Sequence, residues 1–347
     1  MKEMPGLRET HILERGHYAN RGKVVERTSP AVLPPFPQGE PLNRLGLAKW
    51  LTSSEHPLMA RVTVNRYWQM IFGSGLVSTS EDFGMQGKPP THPELLDWLA
   101  RDFINSGWNM HHLLKKMVLS HTYRQESKIL KFALEEDPEN LLLSRAPAYR
   151  LPAEMIRDGL LAHSGLLHKK TGGPGAKPYD LKVSFKPINP DGAPNVYRRS
   201  VYTFWKRTAP TPVMMAMDAS KRDVCTVRRE RTESPSQSLI MLNGTQFVET
   251  ARATADALVQ THGTNNPTPL IEDAFRTLTS RKPTDLESEI LHQLLEEQKA
   301  HFQDQKQAEK FLKVGYYKSQ SKDLSYLAAV TNLVSTLMNF DGTISKR

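Results

Sequence analysis

A chain of 347 residues with 38% hydrophobic content can bury a sizeable core, as one large domain or two ordinary ones, which excludes a disordered polypeptide. Its 46 Lys and Arg against 37 Asp and Glu leave a formal charge of +9, a basic field that favours anionic partners without choosing among nucleic acid, anionic glycan and lipid head groups. The single cysteine, Cys225, excludes an internal disulfide, a paired-cysteine metal site and a CxxCH haem attachment, and no apolar run reaches the length of about 18 residues that marks a membrane-spanning helix.

In chain order, residues 1–41 are polar and then proline-rich (Pro30, Pro34, Pro35, Pro37, Pro41), which predicts an extended arm lying on the body. Helices are predicted at 43–51 and at 57–72, the second with Pro57 in its first turn and Gly73 after its end. Thr91, Pro93 and Glu94 read as a capping box, followed by Leu95, Leu96, Leu99 and Phe103 at helical spacing until Gly107. The next apolar face runs through Met110, Leu114, Met117 and His121, and Pro152 opens a helix through Ile156 and Leu160.

Residues 171–196 carry too many Gly and Pro for a helix and read as a long surface loop, a length often associated with function. VYRRSVYTFWKRT at 196–208 is the best strand candidate, with LKVSF at 181–185 as partner. Ser234, Pro235 and Gln237 open a helix that breaks at Asn243 and Gly244 and resumes through Phe247 and Val248. Thr284 and Glu287 cap a helix carrying Leu286, Ile290 and Leu294, and a last helix places Leu327, Val330, Val334 and Leu337 on one side. The predicted architecture is mainly α: a single helical domain over 42–347, an extended N-terminal arm, a long Gly/Pro-rich loop and at most a minor β-hairpin.

Between Tyr197 and Gly244 nine cations (Arg198, Arg199, Lys206, Arg207, Lys221, Arg222, Arg228, Arg229, Arg231) meet four acids (Asp218, Asp223, Glu230, Glu233). Arginine cannot shed its charge, so these groups need carboxylates elsewhere in the fold or an anion from outside. With Tyr202, Phe204 and Trp205 alongside, the stretch suits an anionic ligand, arginine forks taking oxyanions and aromatic faces taking sugar rings. The ligand-binding candidates are Arg198, Arg199, Tyr202, Trp205, Arg207, Arg228 and Arg231.

Catalytic candidates are fewer. Glu154 and Asp158 lie one turn apart on the helix opened by Pro152, so their like charges need neutralising. Either Arg150 and Arg157 do this as structural salt bridges, or a metal or shared proton does. His121 on an apolar helix face is a hydrogen-bonded core residue or a base. Asn65 and Arg66 brace adjacent backbone or line a pocket with Asp82. Cys225 is a small buried residue, or a nucleophile if its neighbouring arginines favour the thiolate. No HxxxH or HExxH pair and no phosphate loop occurs, so no metal site is predicted.

VYRRSVYTFWKRT followed by PTPVMMAMDASKRDVCTVRRERTESPSQSLIMLN resembles the signature of the domain-of-unknown-function 1553 family. The likeness extends to HILERGHYANRGKVVERTSPAVLPP at 11–35, NRLGLAKWLTSSEHPLMARVTVNRYWQMIFGSGLVSTSEDFG at 43–84, HPELLDWLARDF at 92–103, HTYRQES at 121–127 and RLPAEMIRDGLL at 150–161. The resemblance implies the C-terminal module of a planctomycete-type protein that also carries cytochrome c domains, in an extracytoplasmic setting. The opening MKEMPGLRETHILERG lacks the apolar centre of a signal peptide, and the chain reads as a truncated or split product of such a protein. Any haem then sits on a missing domain or a partner chain, and this chain has no cofactor of its own. Three readings follow: a module binding polyanionic, for example sulfated, carbohydrate; an enzyme, either a hydrolase using Glu154, Asp158 or Asp82 or the substrate-handling half of a haem-linked redox protein; and a nucleic-acid binder. The last is weakest, because the cations are interleaved with prolines and acids instead of following one recognition helix.

Overall fold

Helical stretches cut by Gly, Pro and Asn are the dominant regular structure, and the computed structural model, which describes residues 6, 8–183, 186–208 and 210–346, is mainly α with two small antiparallel sheets. The chain divides into two compact units, Met1–Arg124 and Gln125–Arg347.

In the first unit, strands β1 (Thr10–Leu13) and β2 (Arg21–Val25) form an antiparallel hairpin with an irregularity between His11 and Leu13. The proline-rich segment then lies on helix α1 (Arg44–Leu51): Trp50 Nε1 donates to Pro34 O at 2.8 Å and the Phe36 ring stacks on Trp50 at 5.6 Å. Asn43 opens α1 by accepting the Leu45 and Gly46 amides, as its cap chemistry predicts. Helix α2 (Met59–Phe72) starts where His56 Nδ1 accepts the amides of Leu58 and Met59, and α3 (Pro93–Asn105) and α4 (Met110–Leu119) pack on it. Trp68, Phe72, Leu96, Leu99, Phe103, Leu113 and Met117 are all buried in this unit.

Two expectations are corrected here. Thr91 does not cap α3, because its amide and hydroxyl both bond the Leu76 carbonyl; the helix starts under Pro93 with His92 at the cap position. The buried row of α4 is Leu113 and Met117, whereas Met110 is exposed and His121 lies in an exposed turn beyond the helix. Ser120, extended in backbone and bonded to Met117 O, ends the helix before His121 can join its face.

Asn65 braces backbone. Fully buried in α2, its amide donates to Val77 O at 3.0 Å and accepts from Val77 N–H at 2.9 Å. Gly75 is required beside it, since a Cβ there would stand 2.6 Å from both Asn65 Nδ2 and Val77 O. Arg66 is exposed.

The second unit begins with α5 (Lys131–Glu136) and strand β3 (Tyr149–Arg150), which pairs antiparallel with β4 (Ser345–Lys346). Helix α6 (Ala153–His163) follows Pro152 as predicted. The described residues of 164–211 are irregular apart from 3-10 turns at Tyr179–Val183, Asn195–Tyr197 and Ser200–Tyr202. The predicted strand at 196–208 is therefore absent among the described residues: only single bridges, His168 with Arg198 and Ala176 with Thr203, replace a ladder. Of its predicted partner 181–185, Ser184 and Phe185 lie outside the described residues.

After α7 (Pro212–Ala216) come α8 (Pro235–Asn243), α9 (Thr245–His262), α10 (Pro267–Thr279), α11 (Asp285–His301), α12 (Gln305–Leu312), α13 (Leu324–Met338) and α14 (Asp341–Ile344). The break between α8 and α9 falls at Gly244, as predicted. Helix α13 is the centre of this unit: Leu327, Ala328, Ala329 and Val330 are fully buried in succession, so its first turns are enclosed on nearly every side, and it packs against α9, α11 and α12. The capping box of Thr284 and Glu287 opens α11, but Leu291 and Leu295 are its buried residues while Leu286 and Ile290 are exposed. The predicted row lies one residue, about 100° of helix, away from the face turned inward.

Two measurements check these local arguments. Asn65→Ala leaves the Val77 amide buried without a partner and its carbonyl with only the 3.4 Å bond from Ser80 Oγ, and should destabilise the protein by about 1–3 kcal/mol in urea unfolding. Glu287 is held at about 2, below its ordinary 4.5, chiefly by the Arg281 guanidinium and also by Thr284, against the opposing effect of burial. The depressed folded-state value means its contribution is complete above about 4.5 and is lost as pH falls toward about 2. Glu287→Gln should flatten that part of the stability–pH curve, with a small amplitude because the pair is partly exposed.

Candidate functional site

Helix α6 aims a buried guanidinium at the irregular chain beside it. Arg157 donates to Val196 O and Arg198 O, both at 2.8 Å, to Ser200 Oγ at 3.1 Å and to Gln246 Oε1 at 3.2 Å. Burial pulls its pKa down, opposed by Asp158 and Asp180. Asp158 completes the attachment by accepting the Ser200 amide at 2.8 Å and its hydroxyl at 2.6 Å. These bonds hold residues 196–200 by side chains, which is why the segment needs no strand partner.

Arg198 extends the attachment one layer. Its guanidinium donates to the carbonyls of Lys170, Gly172 and Pro174 at 3.2, 2.5 and 2.8 Å and lies 4.2 Å over the Tyr202 ring. Tyr202 OH in turn accepts the Gly172 amide at 3.0 Å. From the other side, the fully buried Glu249 of α9 accepts the phenols of Tyr179 at 2.8 Å and Tyr197 at 2.7 Å, together with the backbone amides of Tyr316 and Tyr317. Burial and then the adjacent carboxylate push both phenols far up. Gly315 is obligatory at this junction: its φ is +69° and a Cβ would stand 2.2 Å from the Glu249 carboxyl carbon. No sequence signal marked Glu249.

This scaffold walls a cleft of about 480 Å³. Tyr202, Phe204 and Trp205 supply its aromatic side, Gly173 and Gly175 its backbone side, and Arg207, Lys221 and Arg222 its cations, with Asp223 the single acid. Lys221, Arg222 and Asp223 come from an exposed loop whose ends are tied together. At one end the Asp218 carboxylate accepts the Thr232 amide and hydroxyl, each at 2.7 Å, and Gln237 Nε2 at 3.2 Å. At the other, Arg150 donates to Thr232 O at 2.8 Å and to Gln237 Oε1, while Arg229 pairs with Glu154 at 2.6 Å. Short loops closed at the neck in this way are compact surface elements that often carry function.

Of the residues expected to bind ligand, Tyr202, Trp205 and Arg207 line the cleft. Arg198 lies beneath it with its donors on carbonyls, Arg199 and Arg228 are exposed, and Arg231 stacks 4.1 Å over Tyr149. Lys221, Arg222 and Asp223 join the cleft without having stood out from the surrounding charges. Among the catalytic candidates, Glu154 pairs with Arg229 and Asp158 is hydrogen-bonded by Ser200, so the two carboxylates have separate partners. Arg157 contributes only a 3.4 Å contact to Asp158, and Arg150 turns to Thr232 and Gln237.

Asp82 and His121 belong to the first unit. Asp82 accepts the Gly84 amide at 2.7 Å as a turn residue. Cys225, expected to be buried, is exposed. No group of three His, Cys, Asp or Glu is placed to hold a metal ion among the described residues, and none of their helices is long and apolar enough to cross a membrane.

Arg198→Lys tests the scaffold beneath the cleft. A lysine cannot reproduce a fork over three carbonyls while stacking on Tyr202, so limited proteolysis should cut within residues 169–176 several-fold faster, with a lowered melting temperature. An unchanged cleavage rate contradicts the clamp.

Comparison with curated proteins returns no match, and neither does comparison with solved structures. A family model does match, over residues 43–295, which takes in α1 through most of α11 and every residue of the cleft. The chain therefore belongs to the family described as PSD1, Protein of unknown function (DUF1553).

Proposed function

We propose that the chain is a ligand-binding module for polyanionic carbohydrate, serving an exported protein or assembly that also contains a cytochrome c domain. The observation that carries the carbohydrate part is the pairing, in one cleft, of aromatic side chains with cations that have no carboxylate partner among the described residues. Arg207 and Lys221 form no ion pair there, and both line the same space as Tyr202, Phe204 and Trp205. Guanidinium and ammonium groups suit sulfate or carboxylate oxygens, and aromatic faces suit the apolar faces of sugar rings. A volume of about 480 Å³ falls within the usual range of small-ligand sites, about 300–1,000 Å³. The exported, cytochrome-linked setting is supported by the likeness to planctomycete-type proteins alone.

Hydrolysis by Glu154 and Asp158 has less support, since each carboxylate already has a cationic or hydroxyl partner and neither lines the cleft. A nucleic-acid reading has only the overall charge behind it.

Calorimetry of the whole chain with a sulfated oligosaccharide tests the proposal. Binding should raise the melting temperature and weaken steeply as salt rises from about 50 to 500 mM, because the attraction is screened. The double variant Arg207→Ala/Lys221→Ala should lose about tenfold or more in affinity, two charge-assisted contacts being removed. No heat and no melting shift with sulfated or carboxylated glycans would overturn the reading, and tighter binding to duplex DNA than to any glycan would replace it.

A further inference from the structure

Three arginines of one stretch lie over aromatic rings, Arg198, Arg222 and Arg231, and the two whose rings line the cleft are held very differently. Arg198 over Tyr202 is buried and has three carbonyl partners at 2.5–3.2 Å. Arg222, 5.0 Å over Trp205, has only the Thr203 and Ser200 carbonyls, both at 3.4 Å, the long limit of a hydrogen bond. No acidic side chain pairs with it among the described residues. Its backbone is also unusual: φ is +59°, a left-handed conformation that long side chains seldom adopt and that recurs at ligand clamps. Arg222 therefore covers the ring of a cleft residue with a cation that the protein holds weakly.

Resting on the carbohydrate reading of this cleft, we propose that Arg222 sets its charge selectivity, covering the Trp205 ring and yielding it only to a ligand whose oxyanion takes over the guanidinium. A sulfated or carboxylated sugar replaces two long carbonyl contacts with a charge-assisted bond of ordinary length, about 2.7–2.9 Å, and gains the ring face for stacking. A neutral sugar offers the guanidinium nothing comparable, so it must displace the cation without compensation. Discrimination thus comes from an element that opposes the wrong ligand as well as one that attracts the right one. Arg207 and Lys221, lining the same cleft, add attraction but do not cover the ring.

The test uses the whole chain and a matched pair of oligosaccharides, sulfated and chemically desulfated, titrated into the parent protein, Arg222→Gly and Arg222→Asn. Glycine and asparagine both suit φ of +59°, so neither change threatens folding, and retained melting temperatures confirm this. The parent should prefer the sulfated sugar by about tenfold or more; in both variants the sulfated sugar should weaken about tenfold while the desulfated sugar tightens several-fold. Unchanged or weaker binding of the desulfated sugar in both variants overturns the role of Arg222, even where the parent binds the sulfated form as expected. A parent that binds neither sugar sinks the polyanion reading. In that event a gain of neutral-sugar binding by the variants still supports the covering role, and its absence overturns that role as well.

Discussion

Buried guanidinium groups bonded to backbone carbonyls hold the second unit together where secondary structure does not. An irregular chain that is partly buried has carbonyls with no ladder to join, and each must find a donor. The buried arginines meet this need: Arg145 donates to Ala133, Asp137 and Pro138, Arg150 to Thr232, Arg157 to Val196 and Arg198, Arg198 to Lys170, Gly172 and Pro174, and Arg252 to Tyr317. One guanidinium carries five N–H donors in a fixed fork, so a single side chain can gather several turns of chain. Bonds to a charged group contribute about 1.5–3 kcal/mol each, which over three bonds offsets a desolvation penalty of several kcal/mol. Most of the fork is occupied at Arg157 and Arg198, whereas the buried Nε of Arg150, Arg198 and Arg252 has no hydrogen-bond partner among the described residues.

Helix α9 applies the same logic with the opposite sign. Glu249 and Asp256, seven residues apart and hence on one face, accept amides from residues 316–321, while Arg252 between them donates to Tyr317 O at 2.6 Å. Burial alone would raise Asp256; the bonds from Ser321, Gln320 and Tyr317 together outweigh it and hold the carboxyl below its ordinary range. Tyr317, donating to that carboxylate, is pushed up to about 12, by burial first and by Asp256 second. The segment joining α12 to α13 is thus fastened by its backbone to one helix face, and the same Glu249 reaches Tyr179 within the long loop and Tyr197 just after it.

How much of this was readable from residues alone follows from what each signal encodes. Helix ends carried by short local bonds were legible: Asn43 before α1, Pro152 before α6, Gly244 between α8 and α9, and Thr284 with Glu287 before α11. Phase was less so, since α11 carries apolar residues on adjacent rows and only tertiary packing selects Leu291 and Leu295 over Leu286 and Ile290. The segment 196–208 has strand-forming residues, yet its backbone groups are claimed by Arg157 and Asp158 before any strand can pair with it. The aromatic and cationic members of the cleft, Tyr202, Trp205 and Arg207, were legible from composition. The destination of Arg198 was not, because a sequence displays side-chain donors and acids but every residue hides a carbonyl.

That hidden acceptor also explains why the cleft has two unlike sides. Around residues 170–176 and 198–204 the backbone is bound by Arg198, Tyr202 and the bonds between Ala176 and its neighbours Tyr202 and Phe204. Facing them, residues 221–231 are exposed, tied at the neck and held along their length by side chains, Arg222 on Trp205, Arg229 on Glu154 and Arg231 on Tyr149. Segments with few buried contacts and exposed hydrogen bonds open at lower free energy than those locked into a core. The aromatic side consequently has a fixed shape, whereas Lys221, Arg222 and Asp223 sit on exposed chain. The arginines turned inward fix the shape of one side of the cleft, and those left outside put charge on the other.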